Sequence, residues 1–215
     1  MKFTIDRRFN SSIERTPRVL EIAEGFGLGL SNKEFVVYDN LEIEVKQGDV
    51  IYITGQSGSG KSLLLKDLTK QMLNAGLGVA DLNSLVFDDR PVIDLMAPEQ
   101  PTTIALDYLA KAGISDAWIY IRKPSELSDG QRYRLKLAML MSYGAKADVW
   151  IADEFGAVLD RPTAKCVAFN MQKVARAMGK TLMVATTHTD LKEELGPSLT
   201  ITKRFRERVQ IESAA

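Results

Sequence analysis

The sequence predicts an α/β protein built on a mostly parallel sheet with helices on both faces, and three observations predict it. The runs Val50-Ile51-Tyr52-Ile53-Thr54, Val149-Trp150-Ile151-Ala152 and Thr181 to Thr187 are continuously apolar or β-branched, as strands buried on both faces are. Helical patterns fall between them, which is the order of a parallel sheet with crossover helices. A glycine-rich loop joins the first run to a helix start, and that junction is where such sheets hold anions.

Each element has its own signal. In 35–45, Leu41, Ile43 and Val45 alternate with Glu42, Glu44 and Lys46, a period of two that gives a strand with one wet face. Gln47-Gly48-Asp49 turns the chain into 50–54, and Ser62 to Leu68 opens a helix after the glycine-rich loop. Between about 80 and 125 the pattern is broken by Pro91, Pro98, Pro101 and Pro124, with one short helix at 103–112. A second helix runs from Arg132 to Ser142. After Asp160, Val167, Ala168, Met171, Val174, Ala175 and Met178 share one helical face, with Pro162 near the start and Gly179 past the end. The terminal stretches KFTIDRRF and LTITKRFRERVQIE both alternate, so they are predicted to pair with each other as strands.

Composition narrows the function classes. A chain of 215 residues fits one domain, 1–215. Its 28 basic and 28 acidic residues cancel, so no global field draws it to nucleic acid or an anionic membrane. Cys166 and His188 are the lone cysteine and histidine, which excludes an internal disulfide and a Cys/His zinc site. The N-terminus is polar, and no apolar run reaches the roughly 18 residues of a membrane span. A soluble, cytoplasmic protein is expected.

The chemistry lies in two anion-binding devices. Gly55-Gln56-Ser57-Gly58-Ser59-Gly60-Lys61-Ser62 matches GxxxxGK followed by Ser or Thr, between a buried strand and a helix. Its glycines let backbone N–H groups wrap a polyphosphate, Lys61 reaches the β- and γ-phosphates, and the Ser62 hydroxyl suits Mg²⁺. ATP and Mg²⁺ are therefore the expected ligands. Asp153 ends the strand 149–152 on the ligand side of a parallel sheet, placed for the Mg²⁺ shell. Glu154 follows, with the chemistry of a general base for an attacking water. The second device is Leu127-Ser128-Asp129-Gly130-Gln131, where Ser128 and Gly130 sit at a helix N-terminus. One triphosphate has little use for both devices in one molecule, so the second is expected to act on a neighbouring copy's nucleotide.

Taken together these segments resemble the ATP-binding cassette (ABC) superfamily, in family order: GQSGSGKS at 55–62, LSDGQ at 127–131, VWIADE at 149–154, Leu159-Asp160 and His188. The resemblance implies a P-loop NTPase fold of the ABC type, with antiparallel strands near the N-terminus and a reduced helical subdomain at about 98–146. It implies an ATPase in which two copies bury two ATP molecules, each between one copy's phosphate loop and the other's signature residues Ser128, Gly130 and Gln131. Glu154, His188 and Lys61 are then catalytic, Asp160 links the two sites, and Gln100 joins Ser62 and Asp153 near the metal. Asp129 replaces a signature glycine, and Phe155 stands where a proline is usual. The adenine-stacking aromatic is expected near Asn32, with Phe26 or Phe35 as substitutes, and the paired termini would lie beside the adenine.

Only residues 101–126 separate Gln100 from the signature, less than transporter subunits carry. Several stretches, among them EGFGLGL and VATTHTDL, are similar to small non-transport ABC-type ATPases often linked with an acetyltransferase domain. An ATP-dependent homodimer is therefore expected, with a further protein partner of unspecified kind and no membrane partner. The alternatives are a transporter subunit, or a DNA-processing ATPase using Lys203, Arg204, Arg206 and Arg208 against a nucleic-acid backbone.

Overall fold

The computed structural model describes residues 1–96, 99–205 and 207–214, which form two compact units: residues 2–44, and Met1 with 45–215. In the smaller unit, β1 (Lys2–Ser11) and β2 (Lys33–Glu44) pair antiparallel from Lys2 opposite Glu44 to Ser11 opposite Lys33. Helix α1 (Pro17–Gly25) lies between them in sequence and was not foreseen. Its start carries a helix signal nonetheless. The Thr16 hydroxyl accepts from the Val19 N–H at 3.3 Å, and Pro17 occupies the first turn, where its missing N–H costs nothing.

The larger unit is built on a six-stranded sheet. Its strands are β3 (Val50–Thr54), β4 (Val79–Asp81), β5 (Val149–Ala152), β6 (Thr181–Thr186), β7 (Leu199–Thr202) and β8 (Gln210–Ser213), in the order β4-β5-β6-β3-β7-β8. All neighbours are parallel except β7 and β8. Every residue of β3, β5 and β6 is buried, as their unbroken apolar sequences require. The helices are α2 (Lys61–Asn74), α3 (Thr102–Lys111), α4 (Ala117–Tyr120), α5 (Asp129–Tyr143), α6 (Arg161–Ala177) and α7 (Lys192–Leu195). In α6 the predicted face is the buried one: Val167, Ala168, Met171, Val174 and Ala175. Each large side chain of that kind contributes about 1.5–3 kcal/mol relative to exposure. Against the same sheet, Trp150 is fully buried and donates its indole N–H to the Gly144 carbonyl at 2.8 Å.

The termini depart from expectation. The N-terminal strand pairs with β2, and the C-terminal stretch folds on itself as the β7–β8 hairpin, Leu199 opposite Ser213. Alternation fixes which face of a strand is wet but not its partner, and the nearest partner in sequence closes the smaller loop. The basic stretch is also not a uniform wet face. Lys203 is buried and donates to the Glu207 carbonyl at 2.6 Å, Arg204 pairs with Glu207 at 3.8 Å, and Arg206 lies outside the described residues. Pro98, at the expected edge of the helical subdomain, also lies outside them. No helix among the described residues is long and apolar enough to cross a membrane.

Candidate functional site

β3 delivers the chain into the phosphate loop at Gly55, whose φ is +143°. A Cβ there would stand 1.8 Å from the Lys203 carbonyl oxygen, so no other residue fits. The loop ends at Gly60, the N-cap of α2, which has no side chain to close the helix end and leaves its first N–H groups pointing into the loop. Lys61 is buried, and its ammonium donates to the Gln56 carbonyl at 2.7 Å across the loop. Burial pushes its pKa down, while Asp153 and Glu154 pull it back up. Ser59 is also buried, and its hydroxyl finds no hydrogen-bond partner among the described residues. A cation and a helix N-terminus facing one space fit a polyphosphate.

That space is a cleft of about 470 Å³. Ser57, Gly58, Gly60, Lys61 and Ser62 line one side, with Asp153, Glu154, Thr186 and Thr187 on the others. Ser62 and Asp153 thus share the cleft as hydroxyl and carboxylate, a hard-oxygen pair that suits Mg²⁺ with phosphate and water completing its shell. Asp153 is oriented by its neighbour: Oδ1 accepts the Glu154 N–H at 2.9 Å. Glu154 itself has φ of +52°, a left-handed backbone that costs a residue with a side chain about 1–2 kcal/mol. The residue is exposed and lines the cleft.

His188 is fixed at three points. Its N–H donates to the Thr186 hydroxyl at 3.2 Å, and its carbonyl accepts from the Thr54 hydroxyl at 3.3 Å and from the Tyr52 hydroxyl. Its Nε2 lies 3.3 Å from the Gly156 carbonyl, which selects the tautomer with the proton on that nitrogen. Sequence reasoning missed these supports, because a tyrosine and threonines inside apolar strands read as core.

The signature residues lie elsewhere. Ser128 caps α5: its hydroxyl accepts the Gln131 N–H at 3.3 Å, and Gln131 Oε1 accepts the Ser128 N–H at 2.9 Å. Ser128, Gly130 and Gln131 are not among the residues lining the cleft of their own molecule. Asp129 is ion-paired to Arg132 at 2.5 Å, which offsets the charge that the substituted glycine introduces. Asp160 caps α6, accepting from the Thr163 N–H at 2.9 Å and its hydroxyl at 2.8 Å, and these bonds hold its carboxyl below the usual range. Gln100 is exposed and does not line the cleft. Phe26 and Phe35, 75% and 41% exposed, belong to the smaller unit and are not core.

A family model described as "ABC transporter" matches residues 38–89, the span that carries β3 and the phosphate loop. Among curated proteins, the chain is 26% identical over 206 residues to the phosphonates import ATP-binding protein PhnC of Lactococcus lactis subsp. cremoris (strain SK11), covering 77% of this chain and 82% of the relative. It is 28% identical over 197 residues to the glutamine transport ATP-binding protein GlnQ of Bacillus subtilis (strain 168), covering 75% and 78%. By these matches the chain is similar to ATP-binding proteins of the ABC superfamily. Solved structures agree on the cassette fold. A bacterial ABC transporter cassette in dimeric form matches with a TM-score of 0.66 and 18% identity, over 98% of both chains. The same cassette in a dimeric post-hydrolysis state with ADP and Pi gives 0.67 and 17%, over 99% of this chain and 98% of that one. None of these matches carries an acetyltransferase link, and the relatives are named for import and transport. The expectation of an ABC ATPase therefore stands, while that of a role without a membrane partner loses its support.

Proposed function

We propose that this cassette hydrolyses Mg-ATP between two copies of itself, and that the closing motion drives a membrane-spanning transport partner. The carrying observation is the division of the site. Phosphate loop, Asp153 and Glu154 surround one cleft, whereas the second anion-binding device, the capped tip of α5, lies outside it. The nucleotide of a second copy is the anion that tip would meet. Lys61 and the loop N–H groups hold the β- and γ-phosphates, and Ser128 and Gly130 of the opposing copy close over the γ-phosphate. Ser62 and Asp153, with Gln100 if it swings in, would hold Mg²⁺, which draws charge from the phosphate oxygens when bound. Glu154 accepts the proton of the attacking water, His188 steadies the γ-phosphate, and Asp160 stands at the seam between the two sites.

The transport assignment rests on the relatives' names and on the likeness in fold to a transporter cassette over 98% of both chains. The helical region also exposes Trp118 and Ile121, 70% and 63% accessible, apolar surface of the kind that marks protein contacts. A second reading, a non-transport ATPase of the acetyltransferase-linked group, is favoured by the short 101–126 stretch. Glu154→Gln is expected to run as a dimer on sizing chromatography with Mg-ATP and as a monomer without it. A monomer under both conditions refutes the shared site. If the trapped dimer fractionates with membranes and integral proteins, the transport reading holds; if it stays soluble and unaccompanied, the non-transport reading replaces it.

A further inference from the structure

The loop that carries Glu154 is held from two directions. From β6, the Ala185 carbonyl accepts the Phe155 N–H at 2.9 Å, and the Thr186 hydroxyl donates to the Phe155 carbonyl at 2.8 Å. From α5, the Tyr133 hydroxyl accepts the Gly156 N–H at 2.9 Å, and the Tyr133 ring meets the fully buried Phe155 ring edge-on at 6.4 Å and 70°. Gly156 is the crossing point, since its carbonyl also accepts the Leu159 N–H at 3.1 Å and faces His188 Nε2. The Ala157 N–H closes the turn onto the Glu154 carbonyl at 3.0 Å.

We propose that Tyr133 is a positioning residue for ATP hydrolysis, its hydroxyl tying the Glu154 loop to the helix whose tip is the signature segment; this rests on the ATPase reading of the site. The left-handed backbone of Glu154 is a strained state that persists only while its surroundings over-determine it. β6 fixes the loop at one residue after Glu154, and Tyr133 fixes the next. Removing the hydroxyl leaves a buried N–H without a partner, and the loop gains the freedom to let Glu154 fall back to a relaxed backbone. Burial pushes the phenol's pKa up, so the hydroxyl stays neutral throughout the working range. Because α5 begins at Ser128, the same rigid element that meets one nucleotide sets the base at another. Seating of the signature tip thereby bears on hydrolysis in its own molecule's cleft.

Tyr133→Phe keeps the ring and its packing on Phe155 and deletes only the acceptor. The full chain is compared with wild type in three measurements: steady-state Mg-ATP hydrolysis, amide exchange of 154–157, and ATP-driven dimerisation in the Glu154→Gln background. Expected are a kcat lower by about tenfold with KM within about twofold, exchange at Gly156 faster by about tenfold, and an unchanged dimer. An unchanged kcat or unchanged exchange overturns the assignment. So does a variant whose KM and dimerisation deteriorate as much as its kcat, since that is the mark of general structural support. A wild-type protein that does not hydrolyse ATP overturns the ATPase reading and this one together, whereas an active wild type with an indifferent Phe variant removes Tyr133 alone.

Discussion

Gly55→Ala tests the close approach on which the phosphate loop depends. The new methyl would sit 1.8 Å from the Lys203 carbonyl oxygen and 2.8 Å from its carbon, both backbone atoms, against a normal contact of about 3.5 Å. No rotamer relieves that clash, so the end of β3 and the segment after β7 must separate. The movement pulls on the bond from the Lys203 N–H to the Thr54 carbonyl at 2.9 Å, and loss of such a bond costs about 0.5–1.5 kcal/mol. Backbone strain at φ of +143° adds about 1–2 kcal/mol for a residue with a Cβ. The sum, roughly 1.5–3.5 kcal/mol, is a sizeable part of a total stability of about 5–15 kcal/mol. Urea unfolding followed by intrinsic fluorescence should show a midpoint lower by about 1 M at unchanged slope. Gly58→Ala is the control, because its φ is +72° but nothing lies within 4 Å of the added carbon. It shares the backbone strain but not the clash, so its midpoint should fall by less than that of Gly55→Ala. Equal midpoints for the two variants, or a Gly55→Ala midpoint equal to wild type, would refute the steric argument.

Much of the site was legible because its chemistry fixes residue types at fixed spacing. A backbone cradle needs glycine where β3 meets Lys203, a lysine after the last glycine and a hydroxyl on the helix's first turn, and all of these are letters in the sequence. The central strands were legible for a related reason: full burial on both faces leaves no room for polar residues in 50–54 or 149–152. What stayed hidden depends on partners distant in sequence. Nothing in Glu154 announces a left-handed backbone, since that conformation is imposed by the loop's anchors and not by its own side chain. Tyr133 sits among Arg132, Arg134 and Lys136 and reads as part of a wet helical face, yet its hydroxyl reaches Gly156. Helix α1 was masked by the glycines that follow it, although Thr16 and Pro17 marked its start. The terminal strands show the limit of periodicity, which gave their wet faces but not their neighbours.

Two further perturbations follow from the packing and the caps. Gly144→Ala would bring a methyl to 2.7 Å from the Trp150 indole nitrogen, on the residue whose carbonyl that nitrogen bonds. Overpacking of this kind costs about 1–3 kcal/mol, so the thermal midpoint should fall by several degrees while ATP affinity stays as in wild type. Asp160→Asn addresses the cap of α6 through pH. The wild-type carboxyl is held below its ordinary range by the Thr163 N–H and hydroxyl, so its ionised form is the one that folding favours. Its stabilisation is complete above the unfolded value of about 3.9 and disappears as pH falls through the lower folded value. Wild type should therefore exceed Asp160→Asn in denaturation midpoint at pH 7, and the difference should shrink towards zero below about pH 4. A difference that is constant from pH 7 to pH 3 would show that the cap acts through shape alone, and that the charge at the start of α6 contributes nothing to the fold.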